Sequence, residues 1–253
     1  MNKFNIFKSM LISTAIFSGG SDNRVQLLKT ATYDYGGYAK YEYDDQNRMT
    51  KMYWYNEKGH IASIRRLSYN ENDLIKITYE EVGFPEDNVI EVFTRNGNTI
   101  TIKHTPARGK ATVTTLYLDN DGFPKELRDV TEDNSHIIKY KVVDGNLMEE
   151  RYEEIKYGER VEVVITYMYD KKKSPFYYCN TPRWFKIWSG QDPGKNNITL
   201  QSWSNLTEGC NLATEYTYEY DSAGFPTKRT ATRRYVDCTT GTYETLYEYI
   251  IKK

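Results

Sequence analysis

The residues whose types and spacing best suit ligand binding are aromatic, and they lie together in the stretch 171–209. Trp184 and Trp188 are four residues apart and would share one face of a helix. Trp203 and Tyr178 belong to the same stretch. Such rings can line a pocket or stack on a sugar, because they combine a large contact area with polar edges. These four are our candidate binding residues; the alternative, which the helical spacing favours, is that they fill the core beneath a curled sheet.

Other patterns that carry chemistry are missing from the sequence. The three histidines, His60, His104 and His136, lie in separate predicted hairpins and lack the spacing of metal ligands. No glycine-rich phosphate loop follows a strand and opens a helix, and no G-x-S-x-G nucleophile motif occurs. Acidic residues are plentiful, but their spacing singles out no catalytic pair. We expect no catalytic residue, no metal site and no cofactor, and hence no enzyme.

The three cysteines, Cys179, Cys210 and Cys238, are an odd number for an exported chain. Cys210 and Cys238 flank a predicted hairpin whose turn is 221–224, and counting outward from that turn brings them near each other. A disulfide between these two cysteines is geometrically allowed. Cys179 would then be free and buried among aromatic side chains.

Most of the chain alternates in hydropathy with a period of two, which is typical of half-buried strands. In 160–169, RVEVVITYMY, Val and Ile residues share one face with Tyr167 and Tyr169. In 213–220, ATEYTYEY, tyrosines occupy one face and Glu or Thr the other. Asn96-Gly97 and Asp144-Gly145 lie between such runs and predict type I′ hairpin turns.

A second turn signal repeats along the chain as an aromatic or apolar residue, then Asp or Asn, then Gly or Asn three residues later. The copies are YDSAGFPTK (220–228), LDNDGFPKE (118–126), YNEKGHIAS (55–63) and YDDQNRMTK (43–51). The Asp or Asn side chain can bond the backbone two residues on, and glycine accepts a left-handed conformation without a Cβ clash. The repetition predicts a meander of hairpins with roughly twelve to fifteen strands.

These patterns predict an all-β protein: an antiparallel up-and-down meander in one domain, strongly curved or closed into a barrel-like sheet. A flatter, elongated single sheet is the alternative. Thr181-Pro182 followed by RWFKIWSG predicts one short helix over about 182–189, with Thr181 as N-cap and Gly190 as the stop. The stretch 171–209 that contains this helix would be an insert packed on or inside the sheet.

The first twenty residues resemble a secretory signal, with Lys3 and Lys8, then an apolar run, then small residues. A lipoprotein signal would have Cys where this chain has Gly20. We expect a signal peptide at 1–20, a tether at 21–28 and a single β domain at 29–253. Contact with a membrane would be peripheral, through a lipid anchor if the native chain has Cys at position 20.

The charge pattern limits the classes of partner. Lys and Arg number 34 against 35 Asp and Glu, and this balance argues against binding nucleic acid. In 226–234, PTKRTATRR, Lys228 and Arg234 share one face while Arg229 and Arg233 share the other. Neither face suits lipid, because a membrane strand needs an apolar outer face.

Several motifs together resemble a domain-of-unknown-function family of Gram-negative gut-anaerobe lipoproteins: the lysine-containing leader with its near-lipobox, the repeated YEYD strands, YDKKKSPFYY (169–178), KNNI and EYTYEYDSAGFPTK. The resemblance covers most of the chain after about Lys29 and implies a porin-like β fold. Its strands also resemble the YD repeats of RHS-type proteins. The family has no established activity, so the resemblance implies no catalytic residue.

We therefore expect an exported cell-envelope protein that is associated with the outer membrane, or lies in the periplasm or at the cell surface. Its expected role is a non-enzymatic binding or scaffold module whose partner is a glycan or an envelope protein. One alternative is a structural or adhesive surface protein without a small ligand. Another is a hydrolase with an unrecognised carboxylate site in the barrel.

Overall fold

The computed structural model describes residues 25–252 except 72, 131–133, 157–158, 191–193, 208–209 and 235–239. The described residues form sixteen strands, one short α-helix (α1, Arg183–Trp188) and one 3-10 turn (Pro85–Asp87). The strands are β1 (Val25–Tyr33), β2 (Tyr38–Tyr43), β3 (Met49–Tyr55), β4 (Ile61–Tyr69), β5 (Leu74–Glu81), β6 (Val89–Asn96), β7 (Thr99–Pro106), β8 (Thr112–Leu118), β9 (Pro124–Val130), β10 (Asn134–Val143), β11 (Asn146–Lys156), β12 (Glu159–Lys173), β13 (Asn196–Asn205), β14 (Cys210–Tyr220), β15 (Pro226–Arg234) and β16 (Thr240–Lys252).

The sheet is a closed barrel. Every strand pairs antiparallel with its neighbours in the chain, and β1 pairs with β16 to complete the ring. In this last pairing Val25 is the partner of Lys252 and Tyr33 is the partner of Thr245. The predicted all-β antiparallel meander is confirmed, and it is closed rather than flat. The predicted signal peptide lies outside the described residues, whereas 25–28 of the predicted tether belong to β1, where Leu27 and Leu28 are buried.

The repeated turn signal is confirmed as one recurring structure. In the turn after β14, the backbone N–H of Asp221 donates to the carbonyl of Phe225 (2.9 Å), and that of Gly224 donates to the carbonyl of Asp221 (3.1 Å). Oδ1 of Asp221 accepts from the backbone N–H groups of Ala223 and Phe225, both at 2.9 Å. The same bonds centre on the first turn residues of the other three copies, Asp44, Asn56 and Asp119.

The two predicted type I′ turns differ in outcome. Asp144 and Gly145 have φ values of 51° and 78°, as a type I′ turn requires at both central positions. Asn96, in contrast, is still a strand residue paired with Thr99, so the turn residues are Gly97 and Asn98. Gly97 has a φ of 59°, and Asn98 is not among the residues with positive φ, which is the pattern of type II′. The predicted turn was therefore wrong by one residue. An Asn-Gly pair can also place Asn at the end of the strand and Gly at the first turn position, as it does here.

The segment between β12 and β13, of which 174–190 and 194–195 are described, closes one end of the barrel, and we call these described residues the plug. It is shorter than the predicted insert, since 171–173 end β12 and 196–205 form β13. The plug shares its end of the barrel with the turns 44–48, 119–123, 144–145 and 221–225, because all of these follow even-numbered strands. We call this the closed end, and the opposite end, with the turns 34–37 and 56–60, the open end.

Helix α1 lies within the plug at the predicted position, but its start differs from the prediction. The N-cap is Pro182, without a side-chain cap bond. Thr181 turns away to the barrel wall, where its hydroxyl accepts from the backbone N–H of Met49 at 2.8 Å and lies 3.1 Å from the hydroxyl of Tyr69. Thr181 was therefore wrongly predicted as the cap, because its hydroxyl anchors the plug to β3 and β4.

The core of the protein lies inside the barrel, between the plug and the inner face of the sheet. Trp184, Phe185 and Ile187 of α1 are buried, and the ring of Trp184 meets that of Phe93 edge-on at 5.3 Å between centroids. Four strands away, at β2, the ring of Phe176 meets that of Tyr41 at 5.2 Å. The plug thus fills the lumen near the closed end.

The outer face of the barrel carries charged side chains that pair across neighbouring strands. Examples are the ion pairs Lys51–Glu42, Arg66–Glu80, Lys139–Glu153, Arg151–Glu162, Lys228–Glu244 and Arg234–Glu215. Charges at these positions interrupt an apolar outer band of the kind that a lipid-facing barrel needs. No helix in the described part of the chain is long and apolar enough to cross a membrane.

Candidate functional site

One layer of polar side chains crosses the inner face of four neighbouring strands. Arg229 on β15 is the partner of Tyr218 on β14 and of Thr245 on β16. Thr245 is in turn the partner of Tyr33 on β1. Partners in adjacent strands point to the same face of a sheet. Closure of the barrel therefore places Tyr218, Arg229, Thr245 and Tyr33 side by side in the lumen, and we call them the arginine layer.

Arg229 is a largely buried cation. Its Nη2 donates to Oγ1 of Thr245 at 3.0 Å, and its guanidinium lies 5.6 Å from the centre of the Tyr216 ring. Its Nε is buried and has no hydrogen bond within the described structure. No Asp or Glu of the described residues forms an ion pair with it, whereas Arg234 on the outer face of the same strand pairs with Glu215 at 2.9 Å.

The tyrosines around Arg229 are uncharged at physiological pH, and the hydroxyl groups of Tyr216 and Tyr218 donate to Oε1 of Gln201 at 2.9 Å and to the carbonyl of Ile198 at 2.8 Å. Burial raises the pKa of Tyr33 to about 12, and it also raises the pKa values of Tyr216 and Tyr218. Burial disfavours the charge of Arg229, but the surrounding tyrosine oxygens outweigh this effect, and its pKa lies above its ordinary value. The layer therefore combines one fixed positive charge with several phenolic hydroxyl groups.

Two cavities meet at the arginine layer. A cavity of about 140 Å³ lies on the plug side, between the layer and Phe176, with Asn197 in its wall. A cavity of about 350 Å³ lies on the open-end side and is lined by Tyr35, Trp54 and Arg233 among others. Tyr33, Arg229 and Thr245 line both. The small inward residues Ala31 and Ala231 contribute to this space, one in each cavity.

The wall of the larger cavity contains a stack of three aromatic rings. The rings of Tyr35 and Tyr33 are parallel within 1°, with centroids 5.3 Å apart. The ring of Trp54 continues the stack at 5.6 Å from that of Tyr33, at an interplanar angle of 11°. Tyr35 belongs to the turn 34–37 and is 64% exposed. We call Tyr35, Tyr33 and Trp54 the aromatic stack; it starts at solvent and leads to the arginine layer.

The structure separates the four aromatic residues that were predicted to bind. Trp184 is only 2% exposed, and Trp188 is half-buried with its ring 5.8 Å from that of Phe93. Trp203 is half-buried on β13, as the partner of Ile165. Tyr178 lies at the closed end, 5.7 Å from the Phe225 ring. None of the four lines the two cavities at the arginine layer. These positions therefore do not favour the prediction that the four residues bind one ligand together.

The cysteine predictions are divided between described and undescribed residues. Cys179 is free and buried, as expected. Cys238 and the side chain of Cys210 lie outside the described residues, so their disulfide stays a prediction. No group of three or more His, Cys, Asp or Glu side chains in the described ranges is arranged to hold a metal ion.

Residues of the aromatic stack and the arginine layer were missed as site residues. Trp54 is the one tryptophan outside the predicted insert. A single tryptophan in a predicted strand, far in sequence from the other three, could have marked it as a candidate binding residue. Arg229 was placed on the strand face opposite Lys228, which the structure confirms, since Lys228 pairs with Glu244 outside and Arg229 lines the lumen. A charged residue on the face that also carries Ala231 was the second signal.

Two buried carboxyl groups face the lumen elsewhere in the barrel. Glu91 on β6 accepts from the hydroxyl of Tyr79 at 2.7 Å and lies 3.3 Å from Nδ1 of His104. Glu150 on β11 accepts from the hydroxyl of Tyr167 at 2.7 Å. Neither residue lines the two cavities at the arginine layer. Each carboxyl group instead forms a hydrogen bond with a tyrosine of the barrel wall, away from the arginine layer.

Glu150 should make the stability of the barrel depend on pH. Burial raises the pKa of its carboxyl group, so the folded state holds this proton more tightly than the unfolded state. The free energy of unfolding should therefore fall as the pH rises from about 4.3, the ordinary Glu value, through the folded-state pKa. We expect Glu150→Gln to match the parent near pH 4 and to melt at a higher temperature near pH 7.

The control for this prediction is Glu153→Gln on the outer face of the same strand. Lys139 lowers the pKa of Glu153, so its contribution to stability is present at neutral pH and is lost on acidification. Melts across pH 4–8 should show opposite trends for the two variants. Parallel pH profiles for Glu150→Gln and the parent would contradict the assignment.

Comparisons with known proteins give no family. No family model matches the chain, and no curated protein matches it. Among solved structures, a porin-like protein from Bacteroides vulgatus ATCC 8482 aligns with 89% of this chain and 99% of its own, at 10% identity and a TM-score of 0.45. A porin-like protein from Bacteroides uniformis ATCC 8492 aligns with 88% of this chain and 98% of its own, at 13% identity and a TM-score of 0.37. At these values the likeness supports no statement about function, and the barrel is established by its own strand pairing.

Proposed function

We propose that the protein is an exported, non-enzymatic binding module of the cell envelope that holds a saccharide in the open end of its barrel. The observation that carries this proposal is the aromatic stack, which lines a cavity of about 350 Å³ and starts at an exposed ring. Aromatic faces give saccharides apolar contact while hydroxyl groups at the ring edges remain free to bond. The cavity has the size and the few convergent polar groups expected of a ligand site.

The architecture favours binding at the open end. The plug fills the lumen near the closed end, with Trp184, Phe185 and Ile187 buried inside it. The larger cavity lies beyond the arginine layer and is bounded by Tyr35 in an open-end turn. A ligand would therefore enter from the open end and stop above the plug. The barrel acts in this proposal as a cup rather than as a channel.

Export is the second part of the proposal and depends on the amino-terminal leader at 1–20, which lies outside the described residues. An envelope location accords with the charged outer face, because a barrel of this kind would sit in an aqueous compartment and touch a membrane only through an anchor. We place the protein in the periplasm or at the outer-membrane surface.

The binding proposal is tested by titrating a panel of neutral and acidic mono- and disaccharides against the purified barrel, following Trp emission and heat. Tyr35→Ala should weaken binding about 3- to 10-fold, the worth of one stacking contact. Its melting temperature should hardly change, since Tyr35 is 64% exposed.

The matched control is Tyr177→Ala, which removes a tyrosine ring that is 42% exposed in the plug at the closed end. This variant should bind as the parent does. Failure of every saccharide to bind would overturn the proposal and favour a structural or adhesive protein without a small ligand.

A further inference from the structure

We propose that Arg229 is the anion subsite of this lumen, so that the ligand is an acidic saccharide whose carboxylate or sulfate group lies against the guanidinium. This inference rests on the proposed function for its saccharide part. Its anionic part rests on the charge and the partners of Arg229 alone.

A buried cation normally has a carboxylate or another anion as its partner, because removing a charge from water without compensation is costly. No carboxylate of the described residues pairs with Arg229: its contacts include one bond to Thr245 and the face of the Tyr216 ring, and its other charged-state interactions are with tyrosines. Its buried Nε has no hydrogen bond. The guanidinium lines both cavities. An anion in this space would meet a cation that no carboxylate of the described residues neutralises.

The groups around Arg229 favour an anion over a neutral ligand. The neighbouring tyrosines carry no negative charge at physiological pH, since burial raises their pKa values. Tyr216 and Tyr218 already donate their hydroxyl hydrogens to Oε1 of Gln201 at 2.9 Å and to the carbonyl of Ile198 at 2.8 Å, so the positive charge of Arg229 is the group that an anion would meet. Arg233 adds a second positive charge toward the open end. The site therefore presents one positive charge deep in the lumen, at Arg229, and a second at its mouth, at Arg233.

Two acidic residues lie at the mouth of the larger cavity, and both have partners elsewhere. Asp34 accepts through Oδ2 from the backbone N–H of Glu244 at 3.0 Å. The carboxylate of Glu244 pairs with Lys228 on the outer face at 2.6 Å. These contacts hold the turn 34–37 against β16, and neither carboxylate forms an ion pair with Arg229 within the described residues.

The relation between the arginine layer and the aromatic stack sets the order of groups in the ligand. Tyr33 belongs to both, since its ring stacks between Tyr35 and Trp54 and its strand position is level with Thr245. A sugar ring on the stack would thus have its anionic substituent directed inward toward Arg229. Neutral sugars could use the stack but would leave the cation unpaired.

The test compares three forms of one disaccharide: neutral, with a uronic acid carboxylate, and with a sulfate ester. We expect the parent to bind at least one acidic form more than about 10-fold more tightly than the neutral form, as a charge-assisted bond would give. Arg229→Gln should remove this preference while binding of the neutral form persists. The form that loses most identifies the anionic group.

The matched control is Arg234→Gln. It makes the same change five residues further along β15, on the outer face, where Arg234 pairs with Glu215. It should keep the preference of the parent. Arg229→Lys serves as a second variant, retaining the charge if Arg229→Gln does not fold. Acetate and sulfate are added alone to the parent as simple anions.

The outcomes separate the two proposals. Equal binding of neutral and acidic forms by the parent overturns the anion subsite and leaves the saccharide proposal standing. Binding of acetate or sulfate that Arg229→Gln abolishes, without binding of any saccharide, supports the subsite and overturns the saccharide proposal. No binding of any probe overturns both.

Discussion

Replacing Trp184 by alanine is expected to lower the free energy of unfolding by about 3–5 kcal/mol, the usual cost of truncating a buried aromatic ring. Trp184 is 2% exposed, and its ring packs against Phe93 at 5.3 Å and Phe185 at 5.9 Å. The plug cannot collapse into the space left behind, because its ends are fixed to the barrel wall. Urea unfolding should show a lower midpoint with an unchanged slope.

Two further substitutions calibrate this result. Trp184→Phe should cost much less, since it keeps a ring and removes an indole N–H that has no hydrogen bond in the described structure. Trp188→Ala should lie between the two, because Trp188 is only half-buried although it touches Phe93. A loss for Trp184→Ala below 1 kcal/mol would show that α1 is not part of the core.

Removing the plug should abolish cooperative unfolding altogether. Lys173 and Asn196 are strand partners, just as Val143 and Asn146 are across the turn Asp144-Gly145. An Asp-Gly link can therefore replace residues 174–195 without disturbing the hairpin. The deletion would leave the rings of Phe93 and Tyr41 facing an empty lumen. Losing several buried aromatic contacts at 3–5 kcal/mol each exceeds the 5–15 kcal/mol stability of an ordinary domain.

The measurements for this deletion are a thermal melt and binding of a dye that reports exposed apolar surface. We expect a broad transition and strong dye binding. Tyr177→Ala, an exposed position of the plug, should melt sharply and bind no dye. A sharp melt of the deletion variant within a few degrees of the parent would show that the sheet alone stabilises the barrel.

The local parts of this fold could be predicted from the sequence because each depends on a few neighbouring residues. The turn at Asp221 is encoded by one Asp or Asn side chain and one glycine, so its copies at Asp119 and Asn56 were recognisable. The alternation of β12 identified the lumen face that contains Tyr167. Helix α1 followed from the signals at Pro182 and Gly190.

The candidate site could not be predicted in the same way because closure of the ring creates it. Tyr33 and Thr245 are more than two hundred positions apart in the chain and become partners only where β1 meets β16. Arg229 was assigned correctly to one face, yet a strand pattern does not say whether that face meets apolar core, a cavity or a partner charge. The candidate aromatic residues were instead chosen for their proximity in sequence, and at Trp184 that proximity reflects packing.

The pairing of β1 with β16 also determines where the covalent chain could be cut. Every other strand pairing in the described structure joins neighbours in sequence, so this seam is the pairing that brings together residues from opposite ends of the described chain. Val25 and Lys252 are partners there, so their Cα atoms lie about 5 Å apart. A short peptide could link them, and new termini could open at a tight turn such as 144–145. Circular permutation would then move the seam around the ring and change which hairpin must close last during folding, while the lumen and its arginine layer would stay the same.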